Sequence, residues 1–257
     1  MGAGVGTQLL VGQGNTDIEE ARLATVPQGV PTTNQGEQDY IEGAIALSLM
    51  PPGVSPWVGA RAGVGATSDA GVTYTGRTVR VDARHAFEGE ETALSAGLGL
   101  SGVLTRPGSD APEASGSPGG IGGTREGDIP GLDSDGVTGF GFDIPVIVGY
   151  RSDVELVQVW GGLRGGWERL SGEFLLRVDP DPTIVETAPV EASRWHAGAL
   201  AGLAVGVRPV RVAVEVDVAY QRATGRIQLD DLEGTTVRNA KLDGWTIAPT
   251  GAIIGEF

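Results

Sequence analysis

Polar and apolar residues alternate along this chain with a period of two. In Val210–Tyr220, the residues Val210, Val212, Val214, Val216, Val218 and Tyr220 share one phase, and Arg211, Ala213, Glu215, Asp217 and Ala219 share the other. Side chains on a strand point to opposite faces in turn, so this is a strand with one apolar and one polar face; on a helix the charges would spread all round. The same phase runs through 79–88, 94–101, 140–150 and 245–257, and more weakly through 40–50, 56–67, 154–168 and 195–207, with a short candidate at 7–14. About ten strands result, many as long as the roughly 9–11 residues that cross a bilayer when tilted. Strands of ordinary globular sheets are shorter, at about 5–6 residues.

The connections have their own order. Short turns are expected at Pro51–Ser55, Glu88–Glu91, Arg151–Asp153 and Arg208–Pro209, and longer polar loops at 15–39, 105–136, 170–194 and 223–241, with a modest one at 68–77. Long and short alternate, as in an up-and-down barrel with short periplasmic turns and long outer loops. The pattern predicts an all-β chain in which residues 1–257 form one closed antiparallel transmembrane β-barrel of about ten strands, eight being the alternative.

Aromatic residues in the apolar phase fall into two groups. Phe140, Trp167, Trp195, Tyr220 and Trp245 lie next to long loops, and Phe87, Tyr150 and Phe257 lie next to short turns or the chain end. Two interfacial girdles around a Val/Leu/Ile/Ala band are therefore expected. On these features the chain resembles the small bacterial outer-membrane barrels of the OmpA/OmpX kind over nearly its whole length. Phe257, in an alternating terminal segment, resembles the C-terminal aromatic signal read by the assembly machinery of that class. The resemblance implies the outer membrane of a Gram-negative bacterium, with membrane lipids and the barrel-assembly machinery as partners. A protein partner at the long outer loops is a further expectation.

Composition narrows the chemistry. No Cys is present, which removes disulfides, thiolate nucleophiles and Cys-ligated zinc. A net charge of −15 argues against nucleic acid as a partner. Forty-three glycines weaken helices and suit strands and turns. The opening Met1–Gly6 has neither the basic region nor the apolar core of a signal peptide, so a mature form is expected. The longest apolar run, Ala197–Val207, is too short for a membrane-spanning helix.

If the apolar phase faces lipid, the polar phase lines a lumen. Arg61, Arg80, Asp82, Arg84, Asp143, Glu155, Arg164, Glu168, Glu215 and Asp217 would then gather there in both signs and pair. A barrel of this size is only slightly wider than one filled by its side chains, so a broad pore is not expected. Gly97–Gly102 matches GxGxxG, but strand alternation continues through it, where a dinucleotide site needs a helix to start. Gly198, Gly202 and Gly206 are spaced as in helix-dimer motifs, yet a spacing of four also keeps them on one strand face. His196 is expected inward near the outer rim, with Glu168 and Glu191 as neighbours, and His85 at a boundary. Ten-stranded omptin proteases place Asp and His at such a rim, but their motifs have no residue-by-residue match here. Acidic clusters at Asp179–Asp181 and Asp230–Asp231 lack the spaced ligands of a calcium loop. No catalytic, cofactor-binding or metal-binding residue is therefore assigned. The functional expectation is a membrane barrel with a structural, surface-interaction or narrow-channel role. A soluble ligand-binding barrel of the lipocalin type and a rim-active hydrolase are the alternatives.

Overall fold

A computed structural model describes residues 2–11, 16, 20, 38–39, 41–43, 45–46, 53–75, 78–104, 132–152, 156–177, 185–207, 209–231 and 234–255. Ten strands form one closed antiparallel barrel: β1 (Gly2–Val11), β2 (Gly53–Gly63), β3 (Ser68–Tyr74), β4 (Thr78–Glu88), β5 (Thr92–Leu104), β6 (Leu132–Arg151), β7 (Val157–Arg177), β8 (Val185–Val207), β9 (Val210–Asp231) and β10 (Gly234–Gly255). Each strand pairs with its chain neighbours, and β1 closes the ring on β10 from Gly2↔Ile254 to Val11↔Trp245. Closure leaves no sheet edge, so the strands satisfy their backbone donors and acceptors among themselves.

The apolar phase faces outward. Val212, Val214, Val216, Leu98, Ile144, Val146 and Leu163 are all exposed, Leu163 at 66% and Val214 at 55%. Arg80, Asp82, Asp143, Arg164, Glu215 and Asp217 stand in the opposite phase, inside the ring, with Asp82 only 3% exposed. A water-soluble barrel would have the reverse arrangement; here the outer wall needs hydrocarbon around it. On β6 the outward rings Phe140 and Tyr150 bound this band. Ten residue steps at about 3.3 Å, tilted by roughly 40°, give a height of about 25 Å, which matches a membrane barrel's apolar belt.

The number of strands agrees with the sequence reading, but two assignments exchange places. Residues 40–50 were expected as a strand; among them 41–43 and 45–46 are helical, and Gln38 donates to Glu42 at 2.6 Å, one helical turn on. Ile41 and Ile45, four residues apart, meet the apolar spacing of a helix face as well as that of a strand, and both periods fit so short a run. Conversely, 68–77 was expected as a loop and holds β3, with Thr75 N–H closing its turn on Thr78 O at 3.0 Å. Of the turn expected at 51–55, residues 53–55 open β2, and 51–52 lie outside the described residues. One gain and one loss preserve the parity.

The wall is uneven. β1–β5 have 7 to 13 residues, whereas β6–β10 have 20 to 23. Much of what was expected as loop at 170–194 and 223–241 is strand, up to Arg177, from Val185, up to Asp231 and from Gly234. These hairpins pass beyond Trp167, Trp195, Tyr220 and Trp245, so those rings sit within strands and not at strand ends. At the opposite end the β8–β9 turn is tight, and Gly206 enters it with φ of +152°, where a Cβ would lie 2.5 Å from Val210 O.

Candidate functional site: a filled lumen

Beyond the aromatic row the alternation continues with its phase reversed. On β9 the outward residues become Arg222, Thr224, Arg226 and Gln228, and the inward ones Ala223, Gly225 and Ile227. On β8, Thr187, Glu191 and Ser193 face out while Ala188, Val190 and Ala192 are buried; on β10, Lys241 is exposed and Ala240 and Leu242 are buried. Below the row the barrel is apolar outside and polar inside. Above it the order is that of a soluble protein.

The polar lumen holds a chain of alternating charges. Arg80 donates from Nε and Nη2 to both oxygens of Asp143, at 2.7 and 2.8 Å, and from Nη1 to Asp82 at 2.7 Å. The other oxygen of Asp82 lies 2.6 Å from Arg61. Arg61 and Arg84 share Asp69, with Arg61 Nε at 3.0 Å and Arg84 Nη2 at 3.1 Å. On the far side Arg164 stands 3.8 Å from Asp143 and 3.5 Å from Asp217. The order is Arg84, Asp69, Arg61, Asp82, Arg80, Asp143, Arg164, Asp217, running from the β2–β4 side through β6 and β7 to β9. Its four guanidiniums and four carboxylates cancel. That balance is what permits Asp82 and Asp143 to be buried at 3% and 5% exposure, because an unmatched ion there would carry a desolvation cost of several kcal/mol.

Glycines provide the room. Arg80 on β4 crosses β5 to reach Asp143 on β6, and Gly99 lies beneath: a Cβ there would be 2.5 Å from Asp143 Oδ1 and 2.6 Å from Arg80 Nη2. The GxGxxG match thus lies within strand β5, and its Gly97 and Gly99 face the lumen. Gly202 does the same for Trp160, whose ring passes over it so that Nε1 donates to Glu215 at 2.6 Å. We expect Gly99→Val to force Arg80 away from Asp143 and to cost about 1–3 kcal/mol, as overpacking does. Urea unfolding in lipid vesicles, followed by tryptophan fluorescence, measures it, and an unchanged midpoint would remove the glycine's role.

A second cluster lies nearer the aromatic row. Arg194 bonds Glu168 and, from Nη1, Gln221 at 2.9 Å; Gln221 donates to Thr246 at 2.5 Å, and Thr246 to Ala219 O at 3.3 Å. Above it the buried side chains are mainly apolar, with Arg238 of β10 also in the inward phase, and the interior holds the helical residues. Ile41 and Ile45 are 1% and 0% exposed, among the buried residues Val190, Ala223, Ile227, Ala240 and Leu242. A Cβ on Gly225 would lie 2.8 Å from Ile45 Cγ2, and Gln38 is fixed to Asn239 O at 3.2 Å. At the short-turn end a cavity of about 290 Å³, lined in part by Glu88, Glu91, Arg151 and Trp160, indents the mouth.

Of the residues expected in the lumen, Arg61, Arg80, Asp82, Arg84, Asp143 and Arg164 meet with Asp217 in the charge chain, Glu168 joins Arg194, and Glu215 joins Trp160; Glu155 lies outside the described residues. Sequence reasoning missed Asp69, because its strand was read as loop, and missed Arg194, Trp160 and Gln221, although all four stand in the inward phase of their strands. Phe140, Trp195 and Trp245 are exposed on the outer wall, and Phe87 and Tyr150 at the other belt, while Phe257 lies outside the described residues. Trp167 packs at 5.6 Å from Phe140, and Tyr220 at 5.7 Å from Trp195 and 5.5 Å from Trp245. His85 faces outward, bonded to Ser68 Oγ at 2.9 Å and edge-on to Phe87. His196 is inward, but Glu191 is not its neighbour: it stands in the outward phase, bound by Arg169 at 3.3 Å and Arg226 at 2.8 Å. Residues 170–194 were expected as loop; as part of β8, Glu191 shares the outward odd phase of Trp195 and Ala197, whereas His196 is in the inward even phase. No group of three or more His, Asp or Glu side chains suited to a metal is found among the described residues.

The fold and the polarity of its wall define an integral membrane β-barrel. No protein-family model and no curated protein matches the chain. Among solved structures it is similar to a major outer membrane protein of Thermus thermophilus, at 15% identity and a TM-score of 0.35 over 78% of this chain and 98% of that one. It is also similar to Neisserial surface protein A, at 12% identity and a TM-score of 0.26 over 77% and 92%.

Proposed function

We propose that this protein is a closed outer-membrane barrel of a Gram-negative bacterium, which displays tall strand hairpins at the cell surface and conducts no solute. The observation that carries this reading is the doubly filled lumen: a neutral Arg–Asp chain across the membrane zone, and Ile41 and Ile45 seated in the mouth above it. Its structural role rests on outer-membrane lipids around the apolar wall and the barrel-assembly machinery during biogenesis. Its surface role rests on a protein partner at the hairpin end, which we place outside because both the polarity reversal and the connections at 12–52 and 105–131 lie there. A pI near 4.5 gives nucleic acid no purchase.

A narrow channel has less support, since ions would have to part paired guanidiniums and carboxylates. A rim hydrolase has less still: Glu168 is engaged by Arg194, and Glu191 faces away from His196. Refolded protein in planar lipid bilayers is expected to give no unitary current steps, with heat-modifiable gel migration confirming that the barrel is folded. Regular steps from folded protein would sink the proposal in favour of the channel.

A further inference from the structure

The aromatic belt on the tall side is parted at one seam. Trp167 on β7 leans to β6, its ring 5.6 Å from Phe140 and 6.2 Å from Phe142. Trp195 on β8 leans the other way, 5.7 Å from Tyr220 on β9. The two tryptophans are register partners, yet no ring contact joins them among the described residues. Towards the membrane centre β8 carries small outward residues, Ala197, Ala199 and Ala201. Gly165 pairs with Ala197 and Gly161 with Ala201, and between them Ala199 pairs with Leu163, which projects outward at 66% exposure. A Cβ on Gly161 or Gly165 would meet nothing nearer than a backbone oxygen at 3.6 Å. Larger residues flank this β8 row, with Leu163 on β7 and Val216, Val218 and Tyr220 on β9. The result is a shallow apolar trough about one strand spacing wide, roughly 4.8 Å, which suits an acyl chain.

Directly above the seam the wall becomes cationic. Arg169 stands next to Trp167 in the outward phase of β7, Arg222 next to Tyr220 on β9, with Arg226 and Lys241 beyond. Three carboxylates share this wall, Glu173, Glu191 and Asp243. Glu191 alone serves both Arg169 and Arg226, whose side chains stay 52% and 62% exposed. Asp243 accepts from the Tyr220 hydroxyl at 3.0 Å. Hydroxyls of Ser193 and Thr224, 3.1 Å apart, lie among them. With Lys241 the wall holds four cations against three carboxylates, a local surplus of one positive charge in a chain of net charge −15. Because Glu191 is divided between two exposed guanidiniums, they can accept a further anion, and guanidinium pairs well with phosphate.

We propose that the β7–β8 seam seats a phosphate-bearing lipid of the adjoining leaflet. One acyl chain lies along Ala197, Ala199 and Ala201 between Leu163 and the β9 valines, and the phosphate sits on Arg169, Arg222 and Arg226. Glu191 is thereby relieved of serving two cations alone, and the lipid fixes the barrel's depth at its tall side.

Native mass spectrometry of the detergent-solubilised barrel titrated with dioleoyl phosphatidic acid tests this. A saturable one-to-one adduct is expected, with dioleoylglycerol and millimolar inorganic phosphate neither forming it nor displacing it. Arg169→Gln/Arg222→Gln/Arg226→Gln should weaken it at least tenfold, and Ala197→Phe, which fills the trough and leaves every cation in place, at least threefold. Heat-modifiable migration shows that each variant is folded. Equal binding of dioleoylglycerol, displacement by inorganic phosphate, or an unchanged affinity in either variant overturns the proposal. If the triple variant does not fold, Ala197→Phe decides alone.

Discussion

Asp143→Ala is expected to destabilise the barrel by about 3 kcal/mol, the lower end of the range for removing one partner of a buried ion pair. Asp143 is 5% exposed and answers two guanidiniums, Arg80 through a double hydrogen bond and Arg164 at 3.8 Å. Its loss leaves the charge chain with four cations against three anions around a buried position. The cost stays at the low end because Arg80 keeps Asp82, and Arg164 keeps Asp217 and has a side chain 40% exposed. Urea titration in vesicles gives the value. A second variant separates charge imbalance from lost packing: Arg80→Met/Asp143→Ala restores neutrality and should recover at least half of the loss. A single variant within about 0.5 kcal/mol of the parent, the usual range for exposed positions, would mean that the chain of charges is too solvated to matter. In that case water fills the lumen, and the closed-barrel proposal loses its main support.

How far the architecture could be read from the residues depended on where the alternation kept its phase. From Val210 to Tyr220 it does, and strand, face and length all follow. Beyond Tyr220 the residues Arg222, Thr224 and Arg226 take the positions that had been valine, so a search for one continuous apolar phase ends the strand there. The period of two has not ended; Ala223, Gly225 and Ile227 have taken up the other phase. A sheet that leaves hydrocarbon for water must exchange its faces if it packs on anything, and here it packs on Ile41 and Ile45. That partner was itself unreadable, because a short stretch around Ile41, Glu42 and Ile45 satisfies two periods and only the third dimension selects one. In the lumen, inward phase predicted which charges share the space, but pairing depends on reach across intervening strands. Nothing in the local sequence of Arg80 says that it passes over β5 to Asp143. The signal lay in β5, whose inward phase reads Ser95, Gly97, Gly99, Ser101 and so leaves the path clear.

The reversal of phase along a single strand also supplies the sharpest test of the membrane assignment. Val214 and Gln228 both point outward from β9 and are both exposed, so in water an arginine would be tolerated equally at either. Within a bilayer they differ. Val214 lies in the middle of the apolar segment Val210–Tyr220, and Val214→Arg should cost about 2–4 kcal/mol, the penalty for an arginine at the midplane. Gln228 lies beyond the ring of Tyr220, and Gln228→Arg should stay within about 0.5 kcal/mol. Inside the same rim the order inverts again: Ile227 is 1% exposed, and Ile227→Arg should be worse tolerated than its neighbour at 228, because the guanidinium would be desolvated beside its cross-strand neighbour Arg238. Folding yields and urea midpoints in vesicles rank the three. Equal tolerance at Val214 and Gln228 would make the outer wall of β9 a water-facing surface throughout, and a soluble barrel would then be the better account of the fold.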